Sequence, residues 1–447
     1  MTVREPTSLE RKVFDTLDGM RTEMVSALSD LLAIPSVNPN YPGCVYDELV
    51  GGETEANKYM EKLYRNAGCK VSWVEREKGR ANLVGLLAGS GGGGARSLTL
   101  NGHVDVVPPG DLSKWTDRDA FSGRVRDDKV FGRGATDMKG GLIAAAMAAT
   151  ALSRSGVGLK GDLILHSVTG EETGDHDVGV RAVVEEGFGG DAAIVGEPTG
   201  LVDRFAVAPV SGGLLWMTLR VTGKAGHNNL RGELVHAGGL GEVAGVNAVE
   251  KGVFLLTKLQ ELERQWGQSK AHPLFKPGWF SLHPGVIVGG PEGILVPFMI
   301  SQYCTIEYSI LYPPNEAVED VKAEIEGFVQ DAAALDPWLK KNPPEIEWRL
   351  HWPPYSTAPD HEIVKTLVDA HRLVAGLSAE ADPHRVSGFA AVCDAVYFLE
   401  AGIPAVAYGP GSILQAHTAD EYLAIDELAI AAKTYAEAAI MWCGVAG

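Results

Sequence analysis

The alternation of strand-like and helix-like segments is the feature that most limits how this chain can fold. Apolar spacing predicts three helix-to-strand pairs, which are 138–154 with 162–168, 177–187 with 191–195, and 389–401 with 404–408. Alternation of this kind places helices on both faces of parallel strands. The sequence therefore predicts an α/β fold with a mostly parallel sheet.

A segment with another pattern interrupts this alternation. Its elements follow the order βαββαβ, with strands near 212–222, 284–289, 300–311 and 344–351 and helices within 240–265 and at 315–333. That order predicts an inserted α+β unit of the ferredoxin-like kind. The chain has 447 residues, more than a single core of about 250–300 residues accommodates. We predict a catalytic domain from 1–208 and 353–447, interrupted by an inserted domain at 209–352.

Charge and cysteine content exclude several classes of function. The chain has 58 acidic and 39 basic side chains, for a formal charge of −19, which repels nucleic acids and anionic membranes. Its five cysteines form no CxxC pair, which argues against a disulfide framework and a cysteine-rich zinc site. The longest small-apolar stretch, 141–152, is shorter than the ~20 residues of a membrane span. We expect a cytoplasmic protein that binds neither nucleic acid nor membranes and acts on a small molecule.

Side chains of the types that bind metals follow five strand-like runs. These are His103 and Asp105 in GHVDVVP, Asp137 in GRGATDMKGG, Glu171 and Glu172 in TGEETG, Glu197 in VGEPTG, and His417 in AHTADEYL. Open α/β sheets bind ligands beyond the carboxyl ends of their strands. The five stretches can therefore meet in one crevice.

Taken singly, each of these residues has a simpler explanation. Alternatives are a structural histidine for His103, a helix cap for Asp137, an exposed loop pair for Glu171 and Glu172, and polar turn residues for Glu197 and His417. Together, two histidines, one aspartate and two glutamates form the ligand set of a pair of divalent ions. The remaining Glu171 is then free to transfer protons. Asp105 lies on the same face of an extended backbone as His103 and is predicted to orient its imidazole.

In this order the motifs resemble those of the M20 family of metallopeptidases and deacylases, which includes acetylornithine deacetylase, succinyl-diaminopimelate desuccinylase and glutamate carboxypeptidase. The resemblance covers nearly the whole chain. It implies a zinc-peptidase-like catalytic domain, with the inserted domain acting as a lid and forming a homodimer. It also implies two divalent ions, zinc in the first place and cobalt or manganese as alternatives.

The resemblance further implies a role for each site residue. One ion is held by His103 and Glu197, the other by Glu172 and His417, and both by Asp137. Glu171 is the general base and acid, Asp105 supports His103, and the peptide bond after Asp137 is cis. In VTGKAGHNN, His227 stands where the family polarises the substrate carbonyl, often across the dimer; a loop-capping role is the alternative.

Two departures from the family leave the substrate open. Val396 replaces the arginine of a DAR motif, and ILVP at 294–297 replaces an NxxP motif. An apolar side chain cannot reproduce the bidentate grip of a guanidinium on a carboxylate. Recognition could pass to Arg231, Arg385 or an aromatic loop at 266–284, to Ser387 and main-chain groups, or the substrate lacks the usual carboxylate.

These residues predict a two-metal hydrolase that cleaves the amide bond of an N-acyl amino acid or a related small amide, as deacetylases, aminoacylases and carboxypeptidases do. Two alternatives stay open. One is an aminohydrolase or a ureide or amidine hydrolase that releases ammonia. The other is a non-catalytic homologue that only binds a ligand.

Overall fold

A computed structural model describes residues 4–92, 94–201, 205–382 and 385–446. The chain divides into two compact units, Met1–Val210 with Tyr355–Gly447 and Ser211–Pro354. Within the described ranges, no helix combines the length and the apolar character that crossing a bilayer requires.

The α-helices of the described residues are numbered here in chain order. They are α1 (Ser8–Gly19), α2 (Arg21–Leu32), α3 (Tyr46–Leu49), α4 (Gly52–Asn66), α5 (Gly140–Arg154), α6 (Val180–Val183), α7 (Arg231–Val235), α8 (Ala248–Ser269), α9 (Val318–Ala334), α10 (Glu362–Ala375), α11 (Ala395–Glu400) and α12 (Ile425–Cys443).

The strands are numbered in the same way. They are β1 (Lys70–Val74), β2 (Asn82–Leu87), β3 (Leu98–Asn101), β4 (Arg124–Arg126), β5 (Lys129–Phe131), β6 (Leu163–Ser167), β7 (Ala193–Val195), β8 (Val207–Ser211), β9 (Gly213–Thr222), β10 (Gly226–His227), β11 (Ser281–Gly290), β12 (Met299–Ile300), β13 (Tyr303–Tyr312), β14 (Glu345–Trp352), β15 (Val386–Phe389), β16 (Ala405–Ala407) and β17 (Tyr422–Ala424).

The first unit is built on an eight-stranded sheet in the order β1-β2-β6-β3-β7-β16-β8-β15. The central strands β6, β3, β7 and β16 run parallel to one another, β2 and β8 pair antiparallel with the outer two of them, and β1 pairs antiparallel with β2. Every residue of the four central strands is buried, as expected for strands covered on both faces. The predicted α/β fold with a mostly parallel central sheet is confirmed.

Helix α5 packs on this sheet because its sequence is almost entirely small and apolar. The segment GGLIAAAMAATALSR is buried from Gly140 to Leu152, and alanine is the strongest helix former. At Gly141 an added Cβ would lie 2.2 Å from the carbonyl oxygen of Gly196. Only glycine therefore allows α5 to approach the end of β7 this closely.

The second unit contains a four-stranded antiparallel sheet in the order β11-β13-β9-β14. Buried residues alternate along β13, which is the period of a strand with one covered face. Helices α8 and α9 share one hydrophobic core with these strands. Asn247 caps α8, because its side chain accepts the amide hydrogens of Val249 and Glu250.

Apolar residues at helical spacing over 9–33 predict one long helix, but the structure has two helices, α1 and α2, that meet at Met20. Its φ of −92° and ψ of 4° lie outside regular helix geometry, although its amide still donates to the carbonyl groups of Thr16 and Leu17. Apolar spacing continues across this break. Periodicity alone therefore predicted one helix instead of α1 and α2.

Two other predicted helices are shorter than expected. The helix near 177–187 begins only at Val180, and its backbone keeps helical φ and ψ as far as Glu186, where the left-handed φ of 90° at Gly187 ends it. The helix predicted over 389–401 begins only at Ala395, since the residues before it form β15 and a turn.

Candidate active site

Seven of the predicted site residues lie close together in the first unit. They follow strand ends or precede a helix: His103 and Asp105 after β3, Glu171 and Glu172 after β6, Glu197 after β7, His417 after β16, and Asp137 before α5. The carboxyl ends of parallel strands share one edge of a sheet. This explains why residues far apart in sequence are neighbours.

His103 is surrounded by carboxylates. Its Nε2 atom lies 3.2 Å from Oδ1 of Asp137 and 3.6 Å from Oε1 of Glu197. Oε2 of Glu171 lies 3.7 Å from the same nitrogen. Burial opposes the charged form of His103, but the charge of Glu171 and the hydrogen bond to Asp137 outweigh it and raise the pKa of His103 well above its ordinary value.

His417 lies on the other side of Asp137. Its Nε2 is 3.4 Å from Oδ2 of Asp137 and 3.1 Å from Oε2 of Glu172. Burial lowers the pKa of His417, yet the hydrogen bonds to the two carboxylates prevail and raise it to about 11. The two oxygens of Asp137 thus face two different histidines, as a carboxylate bridging two cations would.

Asp105 connects His103 to the loop that carries the two glutamates. Its carboxylate accepts the main-chain amide of Glu171 at 3.3 Å and that of Glu172 at 3.1 Å. The Nδ2 of Asn38 donates to it at 2.8 Å. The carboxylate is 3.7 Å from Nδ1 of His103, whereas the main-chain oxygen of Asp105 lies 2.9 Å from that nitrogen. The backbone of Asp105, more than its side chain, therefore orients the imidazole.

Sequence patterns missed Asn38 as a site residue. It lies in the proline-rich loop between Pro35 and Pro42, where an asparagine is an ordinary turn residue. Its buried side chain and its bond to Asp105 become visible only in three dimensions.

The buried carboxylates carry more negative charge than the described protein groups neutralise. Burial, reinforced by the charge of Asp137, raises the pKa of Glu197 to about 8. Burial also raises the pKa of Glu171 well above its ordinary value, against the effect of His103. Oε1 of Glu172 is buried and has no hydrogen-bond partner among the described residues. Bound cations would compensate this charge and occupy the free oxygen, so the residues present fit a metal site.

Two groups of side chains are compact enough to share an ion. Their ligand atoms lie within 4.8 Å of one another, in one group of His103, Glu171 and Glu197 and another of His103, Asp137 and Glu172. Glu171, predicted to transfer protons, is thus as near to His103 as a ligand would be. Its role, like the individual ligand assignments, stays a prediction. The predicted cis peptide bond between Asp137 and Met138 is confirmed.

Comparison with known proteins identifies the family. Residues 99–441 match the peptidase family M20/M25/M40. The chain belongs to this family. Among M20 relatives, N-formyl-4-amino-5-aminomethyl-2-methylpyrimidine deformylase of Halalkalibacterium halodurans is 31% identical over 436 residues, which are 96% of each chain. Acetylornithine deacetylase of Myxococcus xanthus is 28% identical over 437 residues, 96% of this chain and 99% of the relative.

A solved structure supports the same fold. Human carnosine dipeptidase 1 superposes with a TM-score of 0.73 over 98% of this chain and 99% of its own, at 17% identity. With the family match and the relatives, this makes the M20 chain a metal-dependent amidohydrolase or peptidase, as predicted from its motifs.

His227 belongs to the second unit of the M20 chain. It is exposed and pairs with Met299 through strands β10 and β12. Its Nδ1 accepts the main-chain amide of Asn229 at 3.2 Å, so His227 caps a short turn of helix, which is the alternative role that its sequence context allowed. Because Nδ1 is an acceptor, the proton of the neutral ring is on Nε2. That atom has no hydrogen-bond partner among the described residues, and the predicted catalytic role stays a prediction.

The candidate substrate-binding arginines already have protein partners. In the first unit, Arg385 donates to both oxygens of Asp382 and to the carbonyl oxygen of Phe205. In the second unit, Arg231 pairs with Glu250 at the surface.

The DAR position and part of the predicted aromatic loop at 266–284 lie inside the protein, whereas Phe275 and Trp279 are half-buried. Trp266 and Phe280 are buried, and Trp266 lies in the core of the second unit. Val396, at the DAR position, is buried as well. These side chains pack inside their own units.

Proposed function

We propose that this M20 hydrolase is a two-metal enzyme that removes a small acyl group, formyl in the first place, from the amino group of a compound without a free α-carboxylate. One observation carries the two-metal part of the proposal: the two oxygens of Asp137 face His103 on one side and His417 on the other. An aspartate in this position suits two cations better than one.

In this proposal His103 and Glu197 bind one ion, and His417 and Glu172 bind the other. Imidazole and carboxylate ligands suit zinc, and cobalt or manganese can take its place. When bound, such a pair of ions polarises the substrate carbonyl and lowers the pKa of the attacking water.

Glu171 accepts the proton of the attacking water and returns it to the leaving nitrogen. A general base has to lie beside the reacting atoms and keep a pKa near the working pH. Glu171 lies next to His103, and burial raises its pKa. Asp105 holds the main chain of Glu171 and so fixes the direction of its carboxylate.

His227 stabilises the oxygen of the substrate carbonyl in this proposal. The proton on its Nε2 is the donor that an oxyanion requires. A homodimer formed through the second unit, as the family resemblance implies, is the arrangement in which we expect His227 to act.

Two observations support the substrate part of the proposal. One is the name of a relative, and the other is that positions 385 and 396 provide no free guanidinium. The relative from H. halodurans is named for an N-formyl aminomethylpyrimidine, and it aligns with 96% of this chain. Valine at position 396 and an Arg385 already bound to Asp382 provide no free guanidinium for a carboxylate. A formamide of a neutral heteroaromatic amine requires none.

An N-acyl amino acid is the second candidate substrate, because acetylornithine deacetylase of M. xanthus aligns with 96% of this chain. Hydrolysis of N-formyl-4-amino-5-aminomethyl-2-methylpyrimidine, N-acetylornithine and a set of dipeptides should be measured with added zinc, cobalt or manganese. We expect formate release, with kcat/KM at least ~100-fold above that for the carboxylate-bearing substrates.

Three other results would each overturn a different part of the proposal. Faster cleavage of N-acetylornithine would overturn the substrate part and leave the metal chemistry standing. Release of ammonia without formate or acetate would overturn acyl hydrolysis itself. Turnover that survives complete removal of metal would overturn the two-metal part.

A further inference from the structure

A fully buried carboxylate that no ligand assignment includes lies directly behind Asp137. Glu421 has an exposed fraction of 0%, and it follows the ligand candidate His417 by four residues. Its Oε1 accepts the main-chain amides of Thr136 at 2.9 Å and of Asp137 at 3.1 Å. It touches the backbone of Asp137 and leaves the side-chain oxygens of Asp137 free to face the two histidines.

The second oxygen of Glu421 has a partner of its own. Nη1 of Arg133, which is also buried, donates to Oε2 at 2.5 Å. The Arg133 guanidinium lies 5.4 Å from the centre of the Trp115 ring. A carboxylate with two backbone donors on one oxygen and a guanidinium on the other is well satisfied, and charge-assisted hydrogen bonds of this kind are the strong ones.

The segments around Glu421 and Asp137 are also joined through their main chains. The amide of Gly132 donates to the carbonyl oxygen of Glu421 at 2.9 Å. The hydroxyl of Thr136 donates to the carbonyl oxygen of Tyr422 at 2.7 Å. Strands β5 and β17 pair beside these contacts. The segment that carries His417 is therefore fastened to the segment that carries Asp137.

We infer that Glu421 is a positioning residue for the metal centre: it fixes the Asp137 main chain, and with it the distance between Asp137 and His417. The inference rests on the proposed two-metal function. Asp137 would contact both ions, so a small rotation of its backbone would disturb both sites. Residues that orient metal ligands contribute about 10–100-fold in metal affinity.

A glutamine at position 421 cannot satisfy the same neighbours. If the glutamine oxygen accepted the amides of Thr136 and Asp137, its NH2 group would face Arg133, and two hydrogen-bond donors would point at each other. With its oxygen toward Arg133, the NH2 group would face the two amides. Glu421→Gln is thus nearly isosteric and still breaks one side of the network.

The chain offers a matched control in Glu437. Its side chain is likewise completely buried and pairs with an arginine, Arg4, at 2.9 Å. It lies in α12, and its described partners, Arg4 and Glu10, belong to the N-terminal segment and are not metal-ligand candidates. Glu437→Gln therefore reports the general cost of removing a buried, arginine-paired carboxylate.

Zinc and cobalt dissociation constants should be measured for the full-length wild type, Glu421→Gln and Glu437→Gln by competition with a chromogenic chelator. The visible spectrum of the cobalt-loaded proteins should be recorded alongside. We expect Glu421→Gln to raise at least one dissociation constant ~10-fold or more and to change the cobalt spectrum. Glu437→Gln should stay within about 2-fold of the wild type and keep its spectrum.

Unchanged metal affinity and spectrum in a folded Glu421→Gln protein would overturn the inference. If that variant does not fold, Arg133→Lys tests the same network with its charge retained, and wild-type affinity in that variant would overturn the inference too. A wild type that binds fewer than two ions would instead refute the proposed function. The two failures are therefore distinguishable.

Discussion

Glu171 and Glu172 are consecutive in the chain, yet they contact different parts of the site. The carboxylate of Glu171 faces His103, and that of Glu172 faces His417. They begin a short helical turn after Gly170, whose φ of 82° favours glycine. Asp105 accepts both of their main-chain amides and so fixes this turn. Glu172 can thus bind a metal ion while Glu171 transfers protons.

Substituting Glu171 tests this division of roles. Glu171→Gln keeps the size of the side chain but removes the proton acceptor. We expect kcat to fall by ~10²–10⁴ while the metal content per chain is unchanged. Steady-state kinetics with elemental analysis of the same preparation measures both quantities. Near-normal turnover, or the loss of an ion, would show that Glu171 has another role.

At the scale of single residues, the sequence predicts which residue types form the site but not every contact between them. The sequence predicts that His103, Glu172, Glu197 and His417 lie close together, because strand ends of parallel sheets converge. Asp137 lies beside them in the turn before α5. Contacts that depend on main-chain direction, such as the hydrogen bond that Nδ1 of His103 donates to the carbonyl oxygen of Asp105, leave no trace in residue order.

At the scale of helices and strands, the close approach of α5 to the end of β7 links the packing of the core to the candidate active site. Gly141 lies against the carbonyl oxygen of Gly196, and Glu197 follows directly. A side chain at position 141 would therefore push the helix away from the strand end that carries a metal-ligand candidate.

Gly141→Ala should destabilise the protein by about 1–3 kcal/mol, the usual cost of overpacking a filled interior. It should also weaken metal binding, because Glu197 is displaced. Gly19→Ala is the control, since an added Cβ there meets nothing within 4 Å. Denaturant unfolding of both variants checks the expectation. Equal stability of the Gly141→Ala and Gly19→Ala proteins would mean that the close approach does not matter.

Long or continuously apolar elements were predictable, and short or interrupted ones were not. Strand β7 is an uninterrupted apolar run, and β6 begins with the apolar run 163–165, as expected for buried parallel strands. In contrast, β8 contains Pro209 and β15 contains Gly388, residues that argue against a strand when read alone. Pairing with neighbouring strands stabilises both segments, and the sequence does not reveal that pairing.

For the whole molecule, two buried histidines of the first unit make stability depend on pH. Burial lowers the pKa of His166 to about 4 and that of His371 to about 3, from an ordinary value of 6.5. His166 contacts the carbonyl oxygen of Phe188 at 2.9 Å, and His371 contacts the hydroxyl of Tyr408 at 2.7 Å. Both rings are neutral in the folded protein over most of the pH range.

A pKa that is lower in the folded state contributes stability above the unfolded value, and this stability is lost as pH falls. We expect each histidine to cost roughly 2 kcal/mol of unfolding free energy between pH 6.5 and pH 4.5. His371→Gln should lose less stability than the wild type over this interval. Urea unfolding of the metal-free proteins at several pH values measures the difference, and parallel curves for the two proteins would refute the assignment.

The central claim is that residues from five separate segments hold two metal ions around Asp137. Anomalous diffraction at the zinc edge, on crystals of the zinc-loaded protein, tests it most directly. We predict two peaks per chain about 3.5–4 Å apart, one beside His103 and Glu197, the other beside Glu172 and His417, and both in contact with Asp137. A single peak, or peaks that do not contact Asp137, would contradict the account.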